Sequence, residues 1–213
     1  MSNPNFRDRP AECAGQYKKL HGEYRASFMT GVLAAVAAHT STLGHLFVMR
    51  VPTSETKKAV IRYVNVQWST KTAGTAQPMG FALAVHRGAT AVYTGGTAID
   101  MFTVTNSQKL RADQETTMFV VNNVRIATTD GMTVPATQVI DAHPIAQKMC
   151  SSGALAATSD LTLLDARDDG SSTARSGLVL AAQECLVIKN VILMAATLDG
   201  YATVTVEWDE VTI

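Results

Sequence analysis

The sequence predicts an all-β protein: an antiparallel β-sandwich, jelly-roll-like, preceded by an extended N-terminal arm. Three observations carry that prediction. Apolar and polar residues alternate over short runs, the period of a half-buried strand. Clusters of Gly, Pro, Thr and Ser separate the runs, and these residues break strands and build turns. No repeat of fixed period is visible, which sets aside solenoids and propellers and leaves a sandwich or jelly roll. With 213 residues, 46% of them hydrophobic, the chain can bury a sizeable core as one β domain. That domain is placed at 25–213, after a leader at 1–24.

The leader, MSNPNFRDRPAECAGQYKKLHGEY, is polar and aperiodic. Such a segment is either a disordered tail or an arm that orders on a neighbouring subunit. GVLAAVAAHT (31–40) has a helical alternative, because alanine favours helix; its valines and Gly31 favour a strand, the reading kept here. LGHLFVMRV (43–51) is an apolar run bounded by Gly44 and Pro52, and PTSETKK is a turn. AVIRYVNVQW (59–68) is a strand with Val60, Val64, Val66 and Trp68 on one face, interrupted by Arg62. STKTAGTAQPMG reads as turn, and FALAVHR (81–87) as a strand with Phe81, Leu83 and Val85 in phase.

GATAVYTGGTAIDMFTV is more loop than strand, and TTMFVVNNVRIATT (116–129) reads as two short strands or one bent about Asn122–Asn123. Pro135 and Pro144 deny a long helix to GMTVPATQVIDAHPIAQKMC, leaving room for one or two helical turns. Residues 130–176 as a whole read as a loop-rich insertion. GLVLAA and CLVIKN, flanking Gln183–Glu184, look like a hairpin, and Asp199–Gly200 is a two-residue turn signal. YATVTVEWDEV puts Ala202, Val204, Val206 and Trp208 on one side. Tyr201, Thr203, Thr205, Glu207 and Asp209 take the other, expected to be a solvated surface.

The 18 basic and 18 acidic residues cancel. A nucleic-acid binder needs clustered Lys and Arg to neutralise phosphates, so that class is set aside, and zero net charge favours association of copies. Cys13, Cys150 and Cys185 make no C-x-x-C and no disulfide framework, which fits synthesis in a reducing compartment. The leader has no apolar h-region, and no apolar run approaches a membrane span; a soluble chain without membrane contact is expected.

Glu207 and Asp209 project from one strand face, as a carboxylate pair would. A glycosidase, however, needs its acids on opposite sides of a sugar and one in an apolar niche, and here the neighbours are threonines and a tyrosine. Acids on an exposed strand also prevent edge pairing. Among His21, His39, His45, His86 and His143 there is no H-x-H, although His45 and His86 can converge in space. DARDDG (165–170) approaches a calcium loop at Asp165, Asp169 and Gly170, but Arg167 holds the central position, where a cation opposes calcium. TGGTA (94–98) lacks the Walker lysine and signals a tight turn. The expectation is a protein without catalytic, cofactor-binding or metal-ligating residues.

The order of these features resembles that of tailed-bacteriophage virion structural proteins. The stretches that carry the resemblance are EYRASFMTGVLAA, LFVMRVPTSETKKAVIRYVNVQW, AQPMGFALAVHRG, GGTAI, GLVLAAQECLVIKN and the closing TVTVEWDEV, across about residues 23–213. The resemblance implies a jelly-roll-like subunit of the head decoration, or cement, type on the capsid surface, assembled in the host cytoplasm. Its implied partners are the major capsid protein, other virion proteins and copies of itself in a dimer or trimer. The alternative is a tail, neck or fibre subunit, with glycan or host-surface binding as a further option. The stretch 130–176 departs from the simplest decoration fold. On this reading Arg7, Arg9, Lys18 and Lys19 of the arm meet acidic groups on a neighbour, with Tyr24 at the same interface.

Overall fold

The computed structural model describes residues 19–34, 36, 44–72, 77–101, 108–109, 115–120, 122–133, 139–141, 143–152, 158–167, 177–194 and 198–212. Among them are fourteen strands and no helix. In chain order the strands are β1 (Lys19–Met29), β2 (Leu33–Ala34), β3 (His45–Arg50), β4 (Lys58–Thr72), β5 (Gln77–Arg87), β6 (Thr97–Ile99) and β7 (Gln108–Lys109). Then come β8 (Val124–Ile126), β9 (Val139–Ile140), β10 (Ala146–Ser152), β11 (Thr158–Asp165), β12 (Leu178–Leu180), β13 (Cys185–Asn190) and β14 (Asp199–Thr212).

Eight of them form a jelly roll. Taken in chain order, the first pairs with the last (β1–β14), the second with the seventh (β3–β13), the third with the sixth (β4–β11) and the fourth with the fifth (β5–β10). The pairs β4–β14 and β5–β13 complete two antiparallel sheets, β11-β4-β14-β1 and β10-β5-β13-β3. This nested plan is the jelly-roll solution to closing a sandwich. The first sheet is extended by β2, β7 and β12, the second by β6, β8 and β9.

Alternation builds the shared core. Ala202, Val204, Val206 and Trp208 of β14 all face inward, as do Phe81, Leu83 and Val85 of β5. Phe28 of the first sheet stacks on Phe47 of the second at 5.2 Å, and Trp68 lies 6.1 Å from Phe81. Fully burying such a side chain is worth roughly 1.5–3 kcal/mol. In β4 the expected phase breaks. Its register with β14 passes from Tyr63↔Glu207 to Ile61↔Trp208, leaving Arg62 unmatched. That β-bulge flips the strand, so Ile61 joins Val64, Val66 and Trp68 in the core, while Val60 is buried outside it.

Several sequence expectations are corrected. GLVLAA and CLVIKN are not a hairpin: β12 pairs with β4 in the first sheet, and β13 lies in the second. Asp199–Gly200 is not a turn but the start of β14, opposite Thr72 and Thr70. The turn expected at 69–80 shrinks, since β4 runs to Thr72 and β5 begins at Gln77. Among the described residues of 116–129 only Val124–Ile126 is strand, following a turn in which Asn122 has φ of 72°. The stretch 130–176, expected as a loop-rich insertion, contributes β9, β10 and β11, and β10 and β11 belong to the jelly roll itself. The long excursion lies earlier, between β5 and β10 at 88–145. The leader boundary also moves, because β1 begins at Lys19.

The excursion changes the second sheet. In β5 every residue from Met79 to His86 is buried, and so are all six of β13. Two-sided burial requires a cover, and Tyr93 and Met132 supply part of it, with backbone bridges His45↔Met132 and Thr94↔Thr133. On the first sheet β14 instead alternates buried and half-buried from Asp199 to Trp208.

Candidate functional site

Among the described residues, two places gather chemistry-bearing side chains: the acids that close β14, and a histidine pair under the cover.

Glu207 points outward from the first sheet. Arg25, its register partner on β1, lies 3.5 Å away, and Arg167 lies 3.7 Å away. Arg167 also binds Asp165 at 2.7 Å and sits 3.8 Å over the Tyr63 ring. The residue that spoils a calcium loop is thus the partner of that loop's first acid; Asp169 and Gly170 lie outside the described residues. Asp209, expected on a solvated surface, is buried and accepts from Arg62 Nε at 2.8 Å. The bulge supplies that arginine. Glu207 and Asp209 share a face but belong to separate ion pairs.

Glu210 escaped sequence reasoning. It continues the inward set Val204, Val206, Trp208 by two more residues, and that phase was the available signal. It is fully buried. Its carboxylate accepts from the Thr117 hydroxyl, from the Met118 backbone N–H at 2.9 and 3.0 Å to its two oxygens, and from Trp208 Nε1 at 3.3 Å. Burial pushes this carboxyl above its ordinary value, while the donors from Thr117, Met118 and Trp208 and the charge of Lys57 pull it down. The arrangement pins the segment 115–119 across one end of the sandwich, where Phe119 meets Trp208 edge-on at 5.8 Å.

Tyr24 belongs to the same end. It is fully buried, stacks on Trp208 at 5.3 Å, and donates to the Glu115 carbonyl at 2.7 Å. Burial first, then the charges of Glu210 and Glu115, raise its phenol, which keeps the donor proton in place. A Cβ on Gly22 would run into this ring, so the strand needs glycine there. Tyr24 is therefore a core residue and not an exposed interface residue. Of the other expected interface residues, Arg7, Arg9 and Lys18 lie outside the described residues, and Lys19 opens β1.

His45 and His86 do converge. Their rings are 5.3 Å apart at 76°, and both are buried. Tyr93 stacks on His86, its hydroxyl hydrogen-bonded to His86 Nδ1, and meets His45 edge-on. His45 Nδ1 lies 3.3 Å from the Met132 carbonyl. Cys185 pairs with His86 in register, and burial pushes its thiol up to about 12, with Arg50 pulling down and Glu184 pushing up. Among the described residues no group of three or more His, Cys, Asp or Glu is placed to hold a metal. His143 is exposed, and His39 lies outside the described residues. Gly95 and Gly96 both have positive φ and their carbonyls accept from Arg125, the tight turn that TGGTA signals.

Among the described residues, the outer face of the first sheet carries Ser27 bonded to Thr205 at 2.8 Å and Asn65 meeting Asp160 and Thr162, together with the Arg25–Glu207–Arg167 chain. Compared with protein-family models, curated proteins and solved structures, the chain has no match.

Proposed function

We propose that the protein is a structural subunit of a tailed-bacteriophage virion, a head decoration protein that lies on the outer capsid surface and ties neighbouring capsomers together. The observation that carries this reading is the unequal treatment of the two sheets. One outer face is covered by the chain's own excursion, whereas the other is a broad strand face of hydroxyls, amides and paired charges. Cementing is mechanical work done by many modest contacts. Their multivalency makes release improbable, since all must open together. The partners are the major capsid protein, other virion proteins and further copies of this chain, and the segment 1–18, with Arg7, Arg9 and Lys18, reaches acidic groups on a neighbour. The resemblance of LVLAAQECLVIKN and TVTVEWDEV to virion proteins adds to this reading.

The test is to mix purified protein with undecorated heads and image them. Ordered density on the outer shell supports the reading. Absence of head binding, with a stable ring that instead binds tail proteins or host glycans, favours the tail, neck or fibre alternative. Removal of the arm must stop at residue 18, because β1 begins at Lys19. The shortened chain should fold and show reduced occupancy; unchanged occupancy would count against the arm.

A further inference from the structure

The strands that end the two sheets are not alike. β7 and β6 are only two and three residues long. β11 runs for eight residues but carries Asp160 and Asp165. Shortness and charge both keep a strand edge from pairing with another chain. β10 is the exception. It runs for seven residues, pairs with β5 along one edge and, among the described residues, with no strand along the other. Its one charge is Lys148. Ala146 and Cys150 pack against the core, so Lys148 shares their phase, while Gln147, Met149 and Ser151 point the other way, out from the second sheet. Met149 and Ile145, just before the strand, are 46% and 47% exposed. A Cβ on Gly80 would meet the Met149 sulfur and Val191. The glycine thus lets the methionine lie flat across β5 toward Val191, and the rim of the second sheet carries an exposed apolar strip.

We infer that β10 is the seam of a two-fold dimer: it pairs antiparallel with β10 of a second copy, so that the two second sheets become one. The strand is its own complement. Centred on Met149, the pairing uses all seven residues, with Ala146 opposite the partner's Ser152, Gln147 opposite the partner's Ser151 and Lys148 opposite the partner's Cys150. Met149 meets the partner's Met149 on the axis, and an amide–hydroxyl pair flanks that apolar contact on each side. Centring on Lys148 instead would set two like charges opposite each other, which is destabilising. The lysine therefore selects the register without barring the pairing. The chain's 18 basic and 18 acidic residues leave no net repulsion between copies. A two-fold contact of this kind is closed after two chains, so it ends in a dimer and not in a fibre. The occupant is a second copy because one strand supplies both halves of the match. The inference does not rest on the virion reading, since it concerns the free protein.

Sedimentation velocity on the full chain, from about 1 to about 100 μM, tests it, with amide hydrogen exchange locating the contact. A species of twice the 22.7 kDa chain mass is expected. Peptides covering 145–152 should exchange about tenfold slower in it than in the monomer, with β14 unchanged. Met149→Lys sets two lysines on the axis and should give a monomer whose circular dichroism matches wild type. Val179→Lys, at an exposed position of β12 in the first sheet, should leave the dimer intact. If Met149→Lys does not fold, dilution of the wild type supplies the same comparison. The inference is overturned by a monomer throughout the range or by a trimer or larger ring. It is equally overturned by a dimer that Met149→Lys leaves intact, by one that Val179→Lys also dissolves, or by one in which 145–152 exchange no slower than in the monomer.

Discussion

The outer faces of the two sheets are built on opposite principles. On the first, β14 alternates buried and half-buried, and its outward residues are satisfied by hydroxyls and ion pairs such as Ser27–Thr205 and Arg25–Glu207. On the second, β13 is buried at every position because the chain between β5 and β10 folds back across it. A strand's burial pattern therefore reports what lies on both of its sides, and alternation is a property of half-covered sheets alone. The end of β14 holds both regimes three residues apart, with Glu207 among arginines outside and Glu210 among donors inside.

Substitutions can break or sharpen that contrast. The largest effect is expected at Trp208, which touches both Tyr24 and Phe119. Trp208→Ala should cost about 3–5 kcal/mol in urea unfolding, and a loss under 1 kcal/mol would mean that this end of the sandwich is not closed as described. Next comes Glu210→Ala, which strips the acceptor from Thr117, Met118 and Trp208. A loss of about 1–3 kcal/mol is expected, together with new protease cleavage at 115–119.

A buried and a surface acid of the first sheet should also titrate in opposite senses. Burial raises the Glu210 carboxyl, so its ionised form costs stability near neutrality, and that cost fades as the pH falls through the raised value toward the ordinary glutamate range. Wild type should then gain stability relative to Glu210→Gln on acidification, read from urea midpoints at two pH values. Asp165 behaves in reverse: the Arg167 side chain holds its carboxyl below the ordinary aspartate range. Its small contribution is present above that range and lost as the pH falls through the lowered value, so Asp165→Asn should matter least in acid. The smallest effect is expected at Glu207, whose arginines are both substantially exposed. Glu207→Ala should cost about 0.5 kcal/mol or less, shrinking further in high salt.

Much of the fold was legible in single strands. YATVTVEW and FALAV face the core on the residues their alternation marks. Pairing was not legible. Asp199–Gly200 and the GLVLAA–CLVIKN pair satisfy local hairpin rules, yet the nested plan sends β12 and β13, and β13 and β14, to different sheets and joins residue 19 to residue 212. A turn rule reads a few neighbouring residues, whereas a jelly roll is decided by contacts most of the chain apart. Glu210 was missed because a charged residue next to Glu207 and Asp209 draws no attention as a core position, although its phase with Trp208 points inward. The convergence of His45 with His86 was foreseen as an option, but Tyr93, whose ring meets both and whose hydroxyl bonds His86, has no local signal.

By itself, the sequence determined that this chain makes strands, where most of them lie and which side of each is apolar, because side chains on a strand alternate with period two regardless of partner. Only the tertiary structure decided which strands pair, where Arg62 slips the register, and which polar groups go inside. Those outcomes depend on long-range closure: a buried acid or histidine is tolerated only when donors or rings from distant segments arrive to meet it.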